Sequence, residues 1–304
     1  MTLTAKQLEQ RKKSIGSSSL PAIILGTDPY GNTAYDEWLF YTDKLPANNL
    51  NVKDYLNFGN LAEPIIVFWA ETKLGKITRR NLNRVHKELP MHANLDGMVI
   101  KEQEPLEAKN VGVHNPSLRF WGEEGTDQVP NDVLIQAHGH MICSYTEICH
   151  VAAFFGGNDF KLYVVRLNLE LAEIIKERAA DFWFNNVQKD IPPKDSIPRL
   201  DVIKKIQRIP DKVGSVIPYK VEYWKKLEGL KSAIDKEYKK AQADILADMG
   251  DAEAANVEGV GHLTFFEYER KRHVVPLYKY RRLYLKPKLL TAGKEVQNGS
   301  IEKT

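Results

Sequence analysis

Met91-His92-Ala93-Asn94-Leu95-Asp96-Gly97-Met98-Val99-Ile100, a short polar turn, and then Pro105-Leu106-Glu107-Ala108-Lys109-Asn110 decide the fold of this chain. The stretch reads as two strands joined by a turn. Side chains alternate faces along a strand, so Glu107 and Lys109 are expected to point one way and Ala108 into the opposite layer. Asp96 is expected on the preceding strand, brought alongside them by the turn. Two carboxylates and a lysine converging on one spot can hold a divalent, oxygen-seeking cation and a phosphate. The spacing alone also fits an ordinary exposed Glu–Lys pair on a sheet edge, so the surrounding chain has to decide.

At 304 residues the chain can build one large core or two smaller ones. Its apolar fraction of 43% and charged fraction of 27% are those of an ordinary water-soluble enzyme. No apolar run approaches the roughly 18 residues that span a bilayer, and the N-terminus MTLTAKQLEQRKK lacks an apolar signal core, so a cytosolic protein is expected. The two cysteines, Cys143 and Cys149, suggest neither a disulfide framework nor a zinc site. A net charge of +3 says little by itself. The basic stretch over residues 262–288, opposed only by Glu267 and Glu269, suits a polyanion better.

Outward from the hairpin, a polar helix is expected over about 3–13, and Ser17 to Ser19 stand as N-caps before a helix opening at Leu20-Pro21. Further helices are expected near 34–45 and near 53–74, the latter interrupted at Gly59 and Pro64. Short β segments follow near 76–80 and 84–87. A loop over 114–130 leads to a helix through Tyr145, capped by Asn131 or Asp132. Strands at 147–155 and 160–167 turn at Gly156-Gly157-Asn158-Asp159, and a helix spans about 169–189. The order reads as a mixed central sheet flanked by helices. Residues 190–218 read as an extended connector, and a charged helix over 219–248 carries Val221, Trp224, Leu227 and Leu230 as its apolar stripe. A terminal hairpin is expected from 262–268 and 274–285. The expected division is a core over 1–195, an extension over 196–290 and a disordered tail over 291–304.

Two further side chains join the cluster. Glu63 shares a helical stripe with Gly59, Ile66, Val67 and Ala70, where a carboxylate is costly unless a metal or lysine neutralises it. Its alternative is a kink at Pro64 that turns Glu63 to water. Gln136 lies on the helix after the hairpin, with His140 one turn later on the same face. A surface amide would look the same. His138, His140 and His150 do not fall at a zinc-ligand spacing and are read as non-metal residues.

Ile15-Gly16-Ser17-Ser18-Ser19-Leu20-Pro21-Ala22-Ile23-Ile24-Leu25-Gly26, followed by Asp28-Pro29-Tyr30, resembles the N-terminal motif of the YqaJ-like viral recombinase family. That family includes the lambda-type phage exonucleases of the PD-(D/E)xK nuclease superfamily. Gly59-Asn60-Leu61-Ala62-Glu63-Pro64 resembles its helix glutamate motif. Leu95-Asp96-Gly97, Leu106-Glu107-Ala108-Lys109, and Gln136 followed by Met141 resemble the remaining motifs, in the family's order.

The resemblance covers about residues 11 to 190 and implies a PD-(D/E)xK, restriction-endonuclease-like α/β core with a C-terminal helix and hairpin extension. It implies that Asp96, Glu107 and the Ala108 backbone carbonyl hold a metal, and that Glu63 supports a second. Lys109 would position or activate water, and Gln136 would orient Lys109 or the scissile phosphate. Arg11, Ser18 and Ser19 match positions used at the 5′-phosphate end of DNA.

The implied activity is Mg²⁺- or Mn²⁺-dependent hydrolysis of linear double-stranded DNA from the 5′ end, leaving 3′ single-stranded tails, with two ions. The implied partners are the DNA, a phage single-strand annealing protein, and two further copies in a ring trimer, which the basic segment 262–288 would line or join. The expected setting is a bacterial host's cytoplasm. A restriction-like or structure-selective endonuclease would use the same core. A DNA-binding module with an inactive nuclease site is the reading outside enzymes. A nuclease with an iron–sulfur cluster would need four cysteines and is disfavoured.

Overall fold

The computed structural model describes residues 12–45, 54–79, 82–206, 208–209 and 212–267. The chain divides into two units, Met1–Gln207 and Arg208–Thr304. In the first unit the short strand β1 (Ile15–Gly16) passes through a 3-10 turn (Ser17–Ser19) into α1 (Leu20–Leu25), followed by α2 (Ala34–Tyr41) and α3 (Asp54–Leu74). Strands β2 (Ile77–Thr78), β3 (Asn83–Val85), β4 (Met91–Asn94), β5 (Gly97–Val99) and β6 (Glu104–Val111) come next. Then follow α4 (Asn131–Ser144), β7 (Ile148–Phe155), β8 (Asp159–Arg166), α5 (Leu169–Asp181) and the one-turn α6 (Leu200–Ile203).

A five-stranded sheet runs β2-β5-β6-β7-β8, and a three-stranded sheet runs β1-β4-β3. Both are mixed. β6 pairs parallel with β7, and β1 parallel with β4, while the other pairs are antiparallel. A parallel pair needs a crossover, and α4 supplies it between β6 and β7. The expected mixed α/β sheet with flanking helices is therefore present.

Strand alternation assigns the two faces of the large sheet. Leu106 and Ala152 pack with Ala62, Ile66, Val67 and Ala70 of α3 on one side. Val111, Val151 and Ala153 pack with Val133, Ala137 and Met141 of α4 on the other. Ile135, Ile142 and Cys143, on the opposite side of α4, belong to a third cluster with Leu20, Met91 and Ala93. A helix buried on both sides is apolar nearly all round, as this one is. Gly139 makes its closest approach possible, since a Cβ there would lie 2.6 Å from Leu20 and 2.9 Å from Ser17.

Several expectations change. Asp96 is not on a strand but in the bend between β4 and β5, because β4 belongs to the small sheet and β5 to the large one. It stands where the chain crosses from one sheet to the other. None of Ser17, Ser18 or Ser19 caps α1 with its side chain. The 3-10 turn runs straight into the helix, so Ser19 already has helical dihedrals and instead accepts a hydrogen bond from the Tyr41 hydroxyl at 3.2 Å. Neither Asn131 nor Asp132 is the N-cap of α4; Pro130 holds that position without a side-chain bond. Helix α3 runs unbroken through Gly59 and Pro64. The helix after β8 changes to a π-helical turn at Phe182–Val187.

The connector is partly docked. Ser196 accepts from the Tyr35 backbone at 3.0 Å, the Arg199 backbone donates to buried Asp36 at 3.1 Å, and Val202 is buried. The second unit holds α7 (Pro218–Met249) and the hairpin β9 (Ala254–Val257) and β10 (Gly261–Thr264). Strand β10 overlaps the first arm of the expected terminal hairpin at 262–264, and it pairs with β9, which was not expected as a strand. The helix expected at 3–13 and the second arm of the expected terminal hairpin lie outside the described residues, as does the tail. Among the described residues no helix is long and apolar enough to cross a membrane.

Candidate active site

Glu107 is the centre of the site. It lies at the middle of β6 on the α4 side of the sheet and is only 4% exposed. Lys109, two residues on, shares that face, as the alternation requires. Its Nζ donates to Glu107 Oε1 at 2.7 Å and to Gln136 Oε1 at 2.7 Å. Gln136 Nε2 in turn donates to Glu107 Oε1 at 2.8 Å. From the next turn of α4, fully buried His140 places Nε2 2.7 Å from Glu107 Oε2. Both oxygens of Glu107 are thereby fixed by α4 and Lys109.

Asp96 completes the cluster from the bend. Its Oδ2 accepts from the Ala108 backbone N–H at 2.8 Å, which ties it to the residue between Glu107 and Lys109. Gly97 makes this junction compact, since a Cβ there would meet Ile77 at 2.8 Å and Leu106 at 3.2 Å.

The two carboxyls are held in opposite states. Burial pushes Asp96 well above the usual aspartate range, reinforced by the neighbouring charge of Glu107 and, further down, Glu63. Burial also opposes ionisation of Glu107, but Lys109 and the His140 contact overcome it and bring its carboxyl down to about 2. Lys109 shows the converse balance. Burial favours its neutral amine, but Glu107 and Asp96, with Tyr30 beyond them, raise its pKa and hold it as ammonium.

The structure therefore brings Asp96, Glu107, Ala108, Lys109 and Gln136 together. Glu63 belongs to α3 on the opposite side of the sheet; it is coupled to Asp96 through charge and forms an ion pair with Arg79. Ser18 is exposed and Ser19 half-buried on the 3-10 turn, and Ser17 of that turn abuts Gly139 of α4. Arg11 lies outside the described residues. Cys143 and Cys149 are buried free thiols.

Among the described residues no three His, Cys, Asp or Glu side chains form a ready metal cage. Asp96 and Glu107, two carboxyls that interact through charge, are oxygen donors of the kind that suits a hard cation such as Mg²⁺ that keeps several of its waters. The like-charge conflict between Asp96 and Glu107 is the kind of cost that a divalent cation removes.

His140, read as a non-metal residue one turn beyond Gln136 on the same face of α4, contacts the Glu107 carboxylate. The Nδ1 atom of His140 has no hydrogen-bond partner. A proton on Nε2 lets the ring donate to Glu107. His140→Leu removes that donor, and loss of this support for the Glu107 carboxylate is expected to cost about 10–100-fold in Mn²⁺ affinity or turnover. His140→Gln, which restores a donor, is expected to recover most of it. Calorimetric Mn²⁺ titration and turnover on both variants check this, and equal behaviour of the two would refute the assigned role.

The sequence model of the YqaJ-like viral recombinase domain matches residues 6–147. No curated protein sequence matches the chain. Among solved structures, the chain is similar to an alkaline exonuclease (LHK-Exo) from Laribacter hongkongensis, at 13% identity and a TM-score of 0.49, over 62% of this chain and 94% of that one. It is also similar to a phage-related exonuclease from Haemophilus somnus 129PT, at 13% identity and a TM-score of 0.41, over 58% of this chain and 96% of that one.

Proposed function

We propose that the chain, whose residues 6–147 match the model of the YqaJ-like viral recombinase domain, is a phage-type, metal-dependent DNA exonuclease that degrades linear duplex from the 5′ end and leaves 3′ single-stranded tails. The observation that carries the reading is the cluster of Asp96, Glu107 and Lys109 around the Ala108 N–H, with Gln136 bridging Glu107 and Lys109.

Asp96, Glu107 and the Ala108 carbonyl would hold a Mg²⁺ or Mn²⁺ ion, and Glu63 would contribute toward a second. When bound, such a cation supplies Lewis-acid activation of water and neutralises charge that builds on phosphoryl oxygens. Lys109, kept as ammonium by its acidic neighbours, is suited to clamp a non-bridging phosphate oxygen and unsuited to abstract a proton. Gln136 holds the ammonium and the Glu107 carboxylate in fixed relation. Ser18 and Ser19, with Arg11, would meet a 5′-phosphate. The 3′ tails would suit a single-strand annealing protein as partner.

Protonation of Asp96 sets a pH dependence. A cation has to displace the proton from a carboxyl whose pKa is raised, so the affinity for Mn²⁺ is expected to rise with pH. Below the raised pKa of Asp96 the slope approaches about tenfold per pH unit, one proton being released per ion. Calorimetric titration across the range above the ordinary aspartate pKa checks this, and a flat profile would contradict the assignment of Asp96 as a ligand.

The substrate class is tested by comparing linear 5′-phosphorylated, linear dephosphorylated and covalently closed circular duplex with Mg²⁺. The reading requires digestion of the linear forms, faster with the 5′-phosphate, and persistence of the circle. Efficient cutting of circles would support the endonuclease alternative. No digestion in any case would support a DNA-binding module.

A further inference from the structure

Tyr41, the last residue of α2, is buried, and its ring packs edge-on against Phe182 and Trp183 at centroid distances of 6.3 and 5.7 Å. A phenylalanine would fill that space. Packing leaves the hydroxyl unexplained, since a buried O–H is costly unless it is hydrogen-bonded. It meets two partners from one short stretch of chain. The Gly16 backbone N–H donates to it at 3.1 Å, and it donates to Ser19 Oγ at 3.2 Å. β1 lies at the edge of the small sheet, so the first of these bonds covers a strand edge. The second reaches the turn that carries Ser18 and Ser19.

These bonds have a direction. A main-chain N–H can only donate, so the Tyr41 oxygen is an acceptor at Gly16, and its own proton goes on to Ser19. A serine hydroxyl has one proton and two lone pairs. With Tyr41 donating to its oxygen, Ser19 is turned to donate its own proton elsewhere. An ionised phosphate monoester only accepts hydrogen bonds, so the chain from Gly16 through Tyr41 to Ser19 has the polarity that such a group needs. Each bond in a chain of this kind polarises the next. Ser19 is half-buried beside exposed Ser18, at the boundary where a ligand can reach it.

We propose that Tyr41 is a positioning residue for the 5′ end of the substrate. It orients the Ser19 hydroxyl as a donor and thereby sets a preference for a 5′-phosphate over a 5′-hydroxyl terminus. This rests on the placement of Ser19 at the 5′-phosphate under the proposed function, and it names the device that makes the placement selective. In this role Tyr41 acts through Ser19, without touching the nucleic acid. A hydrogen bond to an ionised acceptor is roughly twice as strong as one between neutral groups, so a 5′-hydroxyl gains less from the same donor. None of these bonds involves Asp96, Glu107 or Lys109, so the device belongs to end recognition and not to hydrolysis.

Equilibrium binding of a short duplex with either a 5′-phosphate or a 5′-hydroxyl, without added metal, reads this apart from catalysis. The full chain is expected to bind the phosphorylated duplex more tightly. Ser19→Ala is expected to reduce that ratio of affinities by about tenfold, the worth of one hydrogen bond to a charged group. Tyr41→Phe keeps the ring and its packing, and is expected to reduce the ratio by about three- to tenfold. In the Ser19→Ala background, Tyr41→Phe is expected to change the ratio no further, because both act on one contact. A merely structural role for the hydroxyl would weaken both duplexes alike and leave the ratio in place. A ratio unchanged by Tyr41→Phe, or a loss equally large in the Ser19→Ala background, would overturn the proposal and leave the 5′-phosphate site standing. No discrimination by the unaltered chain, or none lost in Ser19→Ala, would overturn the placement of Ser19 and the proposal with it.

Discussion

Asp96→Asn and Glu107→Gln are each expected to bring metal-dependent hydrolysis of linear duplex DNA below about a thousandth of the unaltered rate, because each removes a charged ligand from a site with few to spare. Their effects on stability should have opposite signs. Asp96 is an acid whose folded pKa lies above its unfolded value, so ionising it costs the fold stability, and that cost grows as pH rises through the window above the ordinary aspartate range. Asp96→Asn is therefore expected to raise the melting temperature, by more at pH 8 than at pH 5. Glu107 has a folded pKa lowered to about 2, so its ionised form stabilises the fold at neutral pH, and this is lost as pH falls through the carboxylate range. Glu107→Gln is expected to lower the melting temperature at pH 7 and to matter less near pH 2. Melting curves and turnover at these pH values check both. More than a tenth of turnover retained in either variant would remove this site from contention.

Lys109→Ala is the second large effect expected, a loss of about 10²–10³-fold in turnover, the range for one preorganised donor at a developing charge. Metal binding should survive. Lys109 is a cation beside the two carboxylates, so its removal takes away a positive charge that competes with the metal for Glu107. Mn²⁺ affinity is therefore expected to hold or rise while turnover collapses. Calorimetry on the variant decides this, and joint loss of affinity and turnover would make Lys109 a structural support of the carboxylates.

Much of the site was legible because a strand has a fixed side-chain period. Glu107 and Lys109 share a face and Ala108 takes the other, as two-residue alternation dictates. Gln136 was placed on the right helix by its position after the hairpin. The location of Asp96 was harder, because a run of ten apolar-rich residues reads as one strand when it is two, each in a different sheet. Nothing local in Leu95-Asp96 marks that change; it comes from long-range pairing of β4 with β1 and of β5 with β6.

Tyr30 escaped for the same reason. Its influence on Lys109 comes from a loop held by Asp28, whose carboxylate accepts from the Tyr30 and Asn32 backbones at 2.8 Å. The docking of Ser196 and Arg199 beside α2 was hidden by proline and lysine content, which signals a connector but not its contacts.

The central claim is that Asp96, Glu107 and the Ala108 carbonyl form one cation site on the face where Lys109 stands. Anomalous diffraction from crystals grown with Mn²⁺ and a short 5′-phosphorylated duplex tests it most directly. The account requires a manganese peak in contact with both carboxylates and the carbonyl, lost in Asp96→Asn. A peak elsewhere, or one that persists in Asp96→Asn, would contradict it.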